Sequence, residues 1–245
     1  MRAPELVAHR GWPSRHPENT LPGVTAALEA GAHYVEVDVQ LTSDRVPVLF
    51  HDATLARLCA VPGTVSGHNL AELAALRFKD TRDEVEIPTL SALASLLADW
   101  PGVTPFVEIK PEALAAFGVE EVYWRVDAAL APLADRAVLI SFDTDFLLAA
   151  RRHGWTRLGA VVERWAERDQ PLLPEIAPEY LFTDVDHLPA SGPLEWCGAR
   201  VAVYEVAEPD IALDLARRGV DLVETFAIGE LLEDLGARTE APCHA

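Results

Sequence analysis

Eight short apolar segments recur along the chain, and most of them precede a segment whose apolar residues have helical spacing. Strands and helices that alternate in this way build a parallel sheet, because each crossover must return the chain to the same edge. Eight such units within 245 residues match the order and the size of a closed (β/α)8 TIM barrel, which typically has about 250 residues. The predicted strands are residues 6–8, 34–39, 105–110, 137–142, 158–162, 180–183, 201–206 and 220–225.

An open, doubly wound sheet is the alternative α/β architecture. Sheets of that kind often bind nucleotides through a glycine-rich loop, but neither GxGxxG nor GxxxxGK[ST] follows any predicted strand. We therefore expect a single barrel domain over residues 1–245. Its predicted helices are residues 21–30, 90–97, 119–133, 146–153, 211–218 and 229–235, with a poorly defined helix or loop at 165–176.

One hairpin interrupts the regular alternation after the second strand. The chain turns at residues 42–45 and returns through residues 46–50, which end at His51 and Asp52. Residues of about 53 to 88 then fit no strand-helix rhythm, since they combine Pro62-Gly63, a short helical patch at 70–76 and a mixed-charge stretch at 79–86. We interpret residues 53–88 as a small insertion in the barrel.

The charge balance restricts the class of ligand. The formal net charge is −19, with 39 acidic residues against 20 basic ones. A nucleic-acid-binding protein is expected to carry a basic face, and an anionic membrane attracts clustered lysine and arginine, so both partners are disfavoured. An acidic protein that binds an anionic small molecule must concentrate its few cations, or a metal ion, at the site.

Nothing in the sequence points to secretion or to a structural zinc site. Cys59, Cys197 and Cys243 are odd in number and widely spaced, which favours neither a disulfide framework nor a zinc knuckle. Residues 1–6 lack the shape of a signal peptide, and no run approaches the ~20 apolar residues of a membrane span. We expect a soluble cytoplasmic protein, and the oligomeric state stays open, with a homo-oligomer among the alternatives.

Three carboxylates occupy strand positions that predict a cation site. Glu36 and Asp38 lie two residues apart in an apolar strand and therefore share one face, while Glu108 lies near the end of the next barrel strand. Buried carboxylates are costly without a cation, and a hard divalent ion prefers oxygen ligands. Two solvated acids on an edge hairpin are the alternative for Glu36 and Asp38, but Glu108 repeats the pattern. We predict a site for Mg²⁺ or Ca²⁺.

Two cations and two histidines fall at the same predicted end of the barrel. Arg10 suits a phosphate oxygen as a fork and Lys110 suits it as a point charge. His9 and His51 titrate near neutrality, so they are candidates for a catalytic acid and base. Together with a metal they would form a site for hydrolysis of a phosphate ester. Glu18 and Asn19 are interpreted as structural, through loop hydrogen bonds and helix capping, with Asn19 or Thr20 as the N-cap.

Several short motifs occur in the order found in one enzyme family. These motifs are HRG (9–11), PENT (17–20), EVDVQLTSD (36–44), PVLFHD (47–52), EIK (108–110) and SFD (141–143). They closely resemble the glycerophosphodiester phosphodiesterases, clearly up to residue 143 and more loosely beyond it. The resemblance implies a (β/α)8 barrel with a small insertion and metal-dependent hydrolysis of glycerophosphodiesters to sn-glycerol 3-phosphate and an alcohol. It implies the following roles: acid–base pair His9 and His51; metal ligands Glu36, Asp38 and Glu108; phosphate contacts Arg10 and Lys110.

The last two strands depart from the pattern of this family. Many members carry WTVN in the penultimate strand and ITDxP in the last, whereas residues 203–206 read VYEV and residues 223–226 read VETF. Tyr204 is therefore a candidate for the aromatic wall of the pocket, together with Phe142. Glu205 and Glu224 add negative charge that could bind hydroxyls or favour a cationic alcohol. The preferred alcohol stays open.

Three other functions remain as alternatives to a glycerophosphodiester phosphodiesterase. A related barrel enzyme of the lysophospholipase D or sphingomyelinase D kind would need an apolar groove for an acyl chain. A non-catalytic barrel that binds a phosphodiester would not need both histidines, and a purely structural barrel would not need cations grouped at strand ends.

Overall fold

The computed structural model describes residues 3–79 and 85–240, with the side chains of residues 238–240 excepted. Cys243, His244 and residues 80–84 of the predicted insertion lie outside the described residues. The described strands are β1 (Glu5–Ala8), β2 (Tyr34–Leu41), β3 (Pro47–Leu49), β4 (Thr104–Ile109), β5 (Val138–Ser141), β6 (Leu158–Val162), β7 (Tyr180–Asp184), β8 (Arg200–Tyr204) and β9 (Leu222–Thr225).

Eight of these strands close into a parallel barrel. The order of neighbours is β1-β9-β8-β7-β6-β5-β4-β2, and β1 pairs with β2 to close the ring. The closing register places Val7 opposite Tyr34 and Ala8 opposite Val35. β3 pairs antiparallel with β2 outside the ring, as the predicted hairpin requires. The predicted (β/α)8 barrel is therefore confirmed, and the open sheet is wrong for this chain.

The helices connect the strands on the outside of the barrel. They are α1 (Leu21–Glu29), α2 (Ala56–Cys59), α3 (Leu70–Ala74), α4 (Leu90–Ala98), α5 (Pro111–Phe117), α6 (Val119–Leu130), α7 (Thr144–Arg152), α8 (Leu173–Ile176), α9 (Pro209–Arg217) and α10 (Ile228–Glu240). Sequence patterns located most of them but missed the short helix α2 and also α5, which starts directly after β4 with a proline in its first turn, where proline is tolerated. Among the described residues, no helix has both the length and the apolar character that crossing a bilayer requires.

Two apolar layers hold the barrel together. The larger cluster fills the space between the strands and the surrounding helices. The smaller one fills the barrel itself with Val7, Phe106, Val138, Ile140, Val161, Tyr180, Phe182, Ala202 and Leu222. The ring of Phe106 meets those of Tyr180 and Phe182 edge-on, with centroids 4.9 and 5.0 Å away. The interior is thus a packed core, and ligands have access only at the ends of the barrel.

The segment after β3 packs a third cluster of its own. It contains α2 and α3 and covers β3 with Val48, Phe50, Leu55, Cys59, Val65, Leu73, Phe78, Val85 and Ile87. Cys59, predicted to be free of any disulfide framework, is a buried free thiol in this cluster. The single-domain boundary over the full chain stays a prediction.

We expect substitution of Gly159 to test the packing inside the barrel. A Cβ at this position would lie 2.8 Å from Cγ2 of Ile140 and 3.1 Å from Cε2 of Phe182. Gly159→Ala should therefore lower the free energy of unfolding by about 1–3 kcal/mol, the usual cost of overpacking a core. Thermal or denaturant unfolding checks this value. Gly102→Ala, where a Cβ meets nothing within 4 Å, is the control, and equal effects of the two variants would contradict the prediction.

Candidate active site

Three carboxylates meet at the end of two neighbouring strands. Glu36 and Asp38 lie on β2 and Glu108 lies on β4, and the sheet register pairs Asp38 directly with Glu108. Their side chains are buried, with relative exposures of 1%, 1% and 8% for the three residues. One carboxylate oxygen from each lies within 4.8 Å of the other two. The structure therefore brings together the three residues that the sequence proposes as metal ligands.

Asn19 holds Asp38 in place. Its side-chain Nδ2 donates to Oδ2 of Asp38 at 2.8 Å, and its side-chain Oδ1 accepts from the backbone N–H of Asp38 at 2.9 Å. Asn19 has a left-handed backbone with φ of 56°, a conformation that asparagine tolerates better than most residues. The N-cap of α1 is Thr20, whose hydroxyl accepts from the N–H of Gly23. Of the two predicted N-cap alternatives, Thr20 is therefore confirmed and Asn19 is wrong, because both side-chain hydrogen bonds of Asn19 reach Asp38.

Arg10 and Lys110 lie against the same carboxylates. Nε of Arg10 is 3.1 Å from Oδ2 of Asp38, and its backbone N–H donates to Oε2 of Glu36 at 3.1 Å. Nζ of Lys110 donates to Oε1 of Glu108 at 2.7 Å and is 3.3 Å from Oδ1 of Asp38. The two cations predicted to contact phosphate thus also offset part of the buried negative charge.

Burial and mutual repulsion give these acids different pKa values and therefore different protonation states. Burial, then the Asp38 carboxylate, raises the pKa of Glu36 well above its usual value and that of Glu108 to about 7. Burial would also raise the pKa of Asp38, but Lys110 and Arg10 outweigh it and hold that pKa at about 2. Asp38 is therefore the permanent anion of the cluster.

Glu224 adds a fourth buried carboxyl, from β9. It is 3% exposed, and burial, followed by the charges of Glu108 and Asp38, raises its pKa well above the usual value. The sequence analysis interprets Glu224 as added negative charge that could bind hydroxyls, and the structure buries this carboxyl in the lining of the cleft. Four carboxyls face two fixed cations here, and Oε1 of Glu36 and of Glu224 has no hydrogen-bond partner. An excess of buried oxygen ligands over cations is compatible with a divalent metal ion.

The two histidines predicted as an acid–base pair face one cleft. Nε2 of His9 is 3.7 Å from Oε2 of Glu36, and its ring stacks on Phe226 with centroids 4.5 Å apart. Burial, then Arg10, lowers the pKa of His9 well below 6.5, so the ring is neutral at pH 7. Nδ1 of His51 is 2.9 Å from Oδ1 of Asp52. Phe226 was not singled out from the sequence, since an aromatic residue near a strand end is more often part of a core.

The cleft itself has a volume of about 120 Å³ at the C-terminal ends of the strands. The two predicted pocket aromatics, Phe142 and Tyr204, line it together with the exposed Glu205. Its remaining lining residues are His9, Arg10, His51, Glu108, Lys110, Ile140, Val161, Phe182 and Glu224. A larger groove of about 530 Å³ lies at the opposite end of the barrel and is bordered by Gly31, His33, Leu232 and Leu235. The smaller cleft is the candidate site, because it alone of these two is lined by Glu108, Glu224 and the cations and imidazoles described above. Glu36 and Asp38 lie beside Glu108.

The fold and this grouping together define a class: (β/α)8 barrels with a carboxylate cluster compatible with a divalent metal at the C-terminal end. The model of the glycerophosphoryl diester phosphodiesterase family matches residues 9–225. The chain therefore belongs to that family.

Individual relatives agree with the family match. A Mycobacterium tuberculosis protein named "Probable glycerophosphodiester phosphodiesterase 1" is 36% identical over 165 residues, which are 61% of this chain and 60% of that protein. A glycerophosphodiester phosphodiesterase of Caldanaerobacter subterraneus subsp. tengcongensis is 35% identical over 120 residues, 47% of this chain and 49% of that protein. The matched segments thus span about half to three fifths of these relatives.

One solved structure matches nearly the whole chain. It is an Oleispira antarctica phosphodiesterase in complex with the product sn-glycerol-3-phosphate, with a TM-score of 0.84 and 25% identity, and the match covers 96% of this chain and 97% of that chain.

We expect metal binding to release protons, because a cation must displace those held on Glu36 and Glu108. Acids with raised pKa values are protonated at low pH, so the affinity for Mg²⁺ or Ca²⁺ should rise with pH through about 7, the pKa of Glu108. Asp38 is ionised throughout that range and contributes no pH dependence.

Calorimetric titration with each metal, in buffers of different ionisation enthalpy at about pH 6 and about pH 8, measures both the affinity and the protons released. Asp169→Asn, at a carboxylate that is 69% exposed, is the control and should behave like the unaltered protein. An affinity that does not change with pH would contradict the prediction.

Proposed function

We propose that the protein is a metal-dependent glycerophosphodiester phosphodiesterase, which hydrolyses glycerophosphodiesters to sn-glycerol 3-phosphate and an alcohol. The observation that carries the proposal is that Glu108, two cations and two imidazoles line one cleft in a member of this family, while Glu36 and Asp38 meet Glu108 beside it. The complex of the similar Oleispira antarctica enzyme with sn-glycerol-3-phosphate supports a small-molecule substrate of this class.

Glu36, Asp38 and Glu108 would hold Mg²⁺ or Ca²⁺, since they offer only oxygen ligands and bury more negative charge than the neighbouring cations offset. A bound divalent ion supplies Lewis-acid polarisation of the phosphodiester and stabilises the charge that develops on it. The unpartnered oxygens of Glu36 and Glu224 support this assignment, because buried polar atoms rarely lack a partner.

Arg10 and Lys110 would bind the phosphate oxygens from the protein side. Both are held by carboxylates that sit in buried strand ends, so their positions need little reorganisation when the substrate arrives. The guanidinium of Arg10 orients an anion as a fork, whereas Lys110 acts as a point charge.

His9 and His51 would move the protons of the reaction. A neutral His9 has a free lone pair and can accept the proton of the nucleophile, either water or a hydroxyl of the glycerol. Nδ1 of His51 contacts the Asp52 carboxylate, which would orient the ring so that it can protonate the leaving alkoxide.

The size of the cleft bears on the rival activities. At about 120 Å³, it is small beside the ~300–1,000 Å³ of pockets that enclose drug-sized ligands, which favours a glycerophosphodiester over a lysolipid with its acyl chain. A non-catalytic phosphodiester-binding barrel is disfavoured by the two imidazoles at the cleft. The net charge of −19 argues against nucleic acid as a partner, and the preferred alcohol and the oligomeric state stay open.

We expect the protein to release sn-glycerol 3-phosphate from glycerophosphocholine when Mg²⁺ or Ca²⁺ is present, and to lose that activity when EDTA removes the metal. A coupled enzymatic assay of glycerol 3-phosphate measures the release, with lysophosphatidylcholine compared in parallel. Glu36→Gln should lower kcat/KM by at least about a hundredfold, because it removes a ligand of the catalytic ion. Faster turnover of the lysolipid would favour the lysophospholipase D alternative, and no turnover of any glycerophosphodiester by the folded, metal-saturated protein would remove the proposal.

We expect His9→Ala and His51→Ala each to reduce kcat by about 10²–10⁴-fold, the usual contribution of a positioned acid or base. Steady-state kinetics on glycerophosphocholine give the values, with circular dichroism as the check on folding. His153→Ala is the matched control, because this histidine pairs with Glu120 on the outside of the barrel. Full activity in either cleft variant would end the acid–base assignment for that residue.

A further inference from the structure

Arg57, on α2 of the insertion, sits between two carboxylates that the barrel presents. Its Nε and Nη2 donate to Oδ2 and Oδ1 of Asp52 at 2.5 and 2.7 Å. Its Nη1 and Nη2 donate to Oε2 and Oε1 of Glu18 at 2.9 and 2.6 Å. Both contacts are bidentate, so the plane of the guanidinium is set from two sides.

The two carboxylates that bind Arg57 also contact His51 and Arg10 of the candidate site. Asp52, which is held by Arg57, is 2.9 Å from Nδ1 of His51. Glu18 also accepts from Nη1 of Arg10 at 3.3 Å. A continuous chain of alternating charge therefore runs from the insertion to the cleft.

This network differs from an ordinary surface ion pair. Arg57 has an exposed side chain, but the side chains of Glu18 and Asp52 are only 12% and 19% exposed. Isolated exposed pairs contribute little, whereas bidentate pairs within a network hold a defined geometry. Arg57 forms four hydrogen bonds to these two carboxylates and therefore belongs with the networks that hold a defined geometry.

A metal ion is the competing interpretation of the same cluster. Glu18, His51 and Asp52 offer three ligand atoms that lie within 4.8 Å of one another. However, the guanidinium of Arg57 already donates to both of these carboxylates and neutralises part of their charge. The arginine thus takes the place that a cation would need.

The state of Asp52 decides which nitrogen of His51 carries the proton. Arg57, as the strongest influence, lowers the pKa of Asp52 by its hydrogen bonds. An ionised carboxylate only accepts hydrogen bonds, so Nδ1 of His51 must be the donor. Nε2 is then the nitrogen available to exchange a proton at the cleft.

We propose that Arg57 is a positioning residue for catalysis, which anchors on Glu18, orients Asp52 and thereby fixes the tautomer and the direction of the His51 ring. The proposal rests on the proposed function, in which His51 is the group that protonates the leaving alkoxide. It also assigns a purpose to the insertion, because Leu55 and Cys59 bury α2 in the apolar cluster of that segment and so hold Arg57 at the edge of the cleft.

Kinetics of Arg57→Ala and Arg57→Lys on glycerophosphocholine test the proposal. We expect kcat to fall by about 10- to 100-fold in Arg57→Ala, the range found when a partner that orients a functional imidazole is removed, with KM changed less than about threefold. Arg57→Lys should lie between this variant and the unaltered protein, since an ammonium keeps the charge but cannot form two forks. The acid limb of the pH–kcat profile should move to higher pH in Arg57→Ala, because Asp52 becomes easier to protonate.

Asp52→Asn closes a double-mutant cycle. If Arg57 acts through Asp52, then Arg57→Ala should cause little further loss of kcat in the Asp52→Asn background. Arg125→Ala is the control, because Arg125 is as exposed as Arg57 and pairs with Glu121, and neither residue lines the cleft. Independent, multiplying losses, or a kcat in Arg57→Ala equal to that of the control, would overturn the proposal. If Arg57→Ala fails to fold, then Arg57→Lys decides by the same cycle.

¹⁵N NMR of the imidazoles separates this proposal from the proposed function. In the unaltered protein, His51 should carry a proton at Nδ1 near neutral pH. Arg57→Lys should shift the ¹⁵N signals of this ring toward those of a mixture of tautomers. This readout needs no substrate, so it stands even if no glycerophosphodiester is hydrolysed. An unchanged tautomer in Arg57→Lys and Arg57→Ala would overturn the positioning role, as would a metal ion whose binding is abolished by Glu18→Gln but not by Glu36→Gln.

Discussion

The buried excess of negative charge at the C-terminal end of the barrel is the constraint on which the site depends. Four carboxyls converge there from β2, β4 and β9, and among the residues that the structure describes, Arg10 and Lys110 are the fixed cations beside them. Desolvation makes such a cluster costly unless protons or a cation offset the charge. The pKa values of these acids differ for this reason. Asp38 stays ionised beside both cations, while Glu36 and Glu224 hold protons that a divalent ion would displace.

The two histidines are supported in different ways, and the difference has a chemical consequence. His9 is buried beside Arg10 and stacked on Phe226, so it stays neutral. His51 is more exposed, and its Nδ1 contacts Asp52. Arg57 holds Asp52 by hydrogen bonds and is itself held by Glu18. A neutral imidazole at one side of the cleft and an imidazole oriented by a carboxylate at the other suit a pair that exchanges protons with one substrate.

Much of the fold was readable in the sequence because barrel strands are buried on both faces. Segments such as 34–39 and 158–162 read as short apolar runs, and their order and number specified the barrel. Helix α5 was missed although Pro111 and Glu112 are helix-start signals, because it is only 7 residues long and follows β4 after the single residue Lys110. Glu36, Asp38 and Glu108 were recognisable by spacing and motif, whereas Asn19 resembled a helix cap and Arg57 an unremarkable charge, since their partners are distant in the chain.

By itself the sequence determined the order of strands and helices, the pairing of Glu36 with Asp38 on one face of a strand, and the presence of imidazoles and cations at strand ends, because these follow from local periodicity and spacing. Only the tertiary structure decided which side chains meet. Closure of the ring through β1 and β2, the inward position of Glu224 and the reach of Arg57 from the insertion to Glu18, 39 residues away, depend on packing between distant segments, which no local pattern encodes.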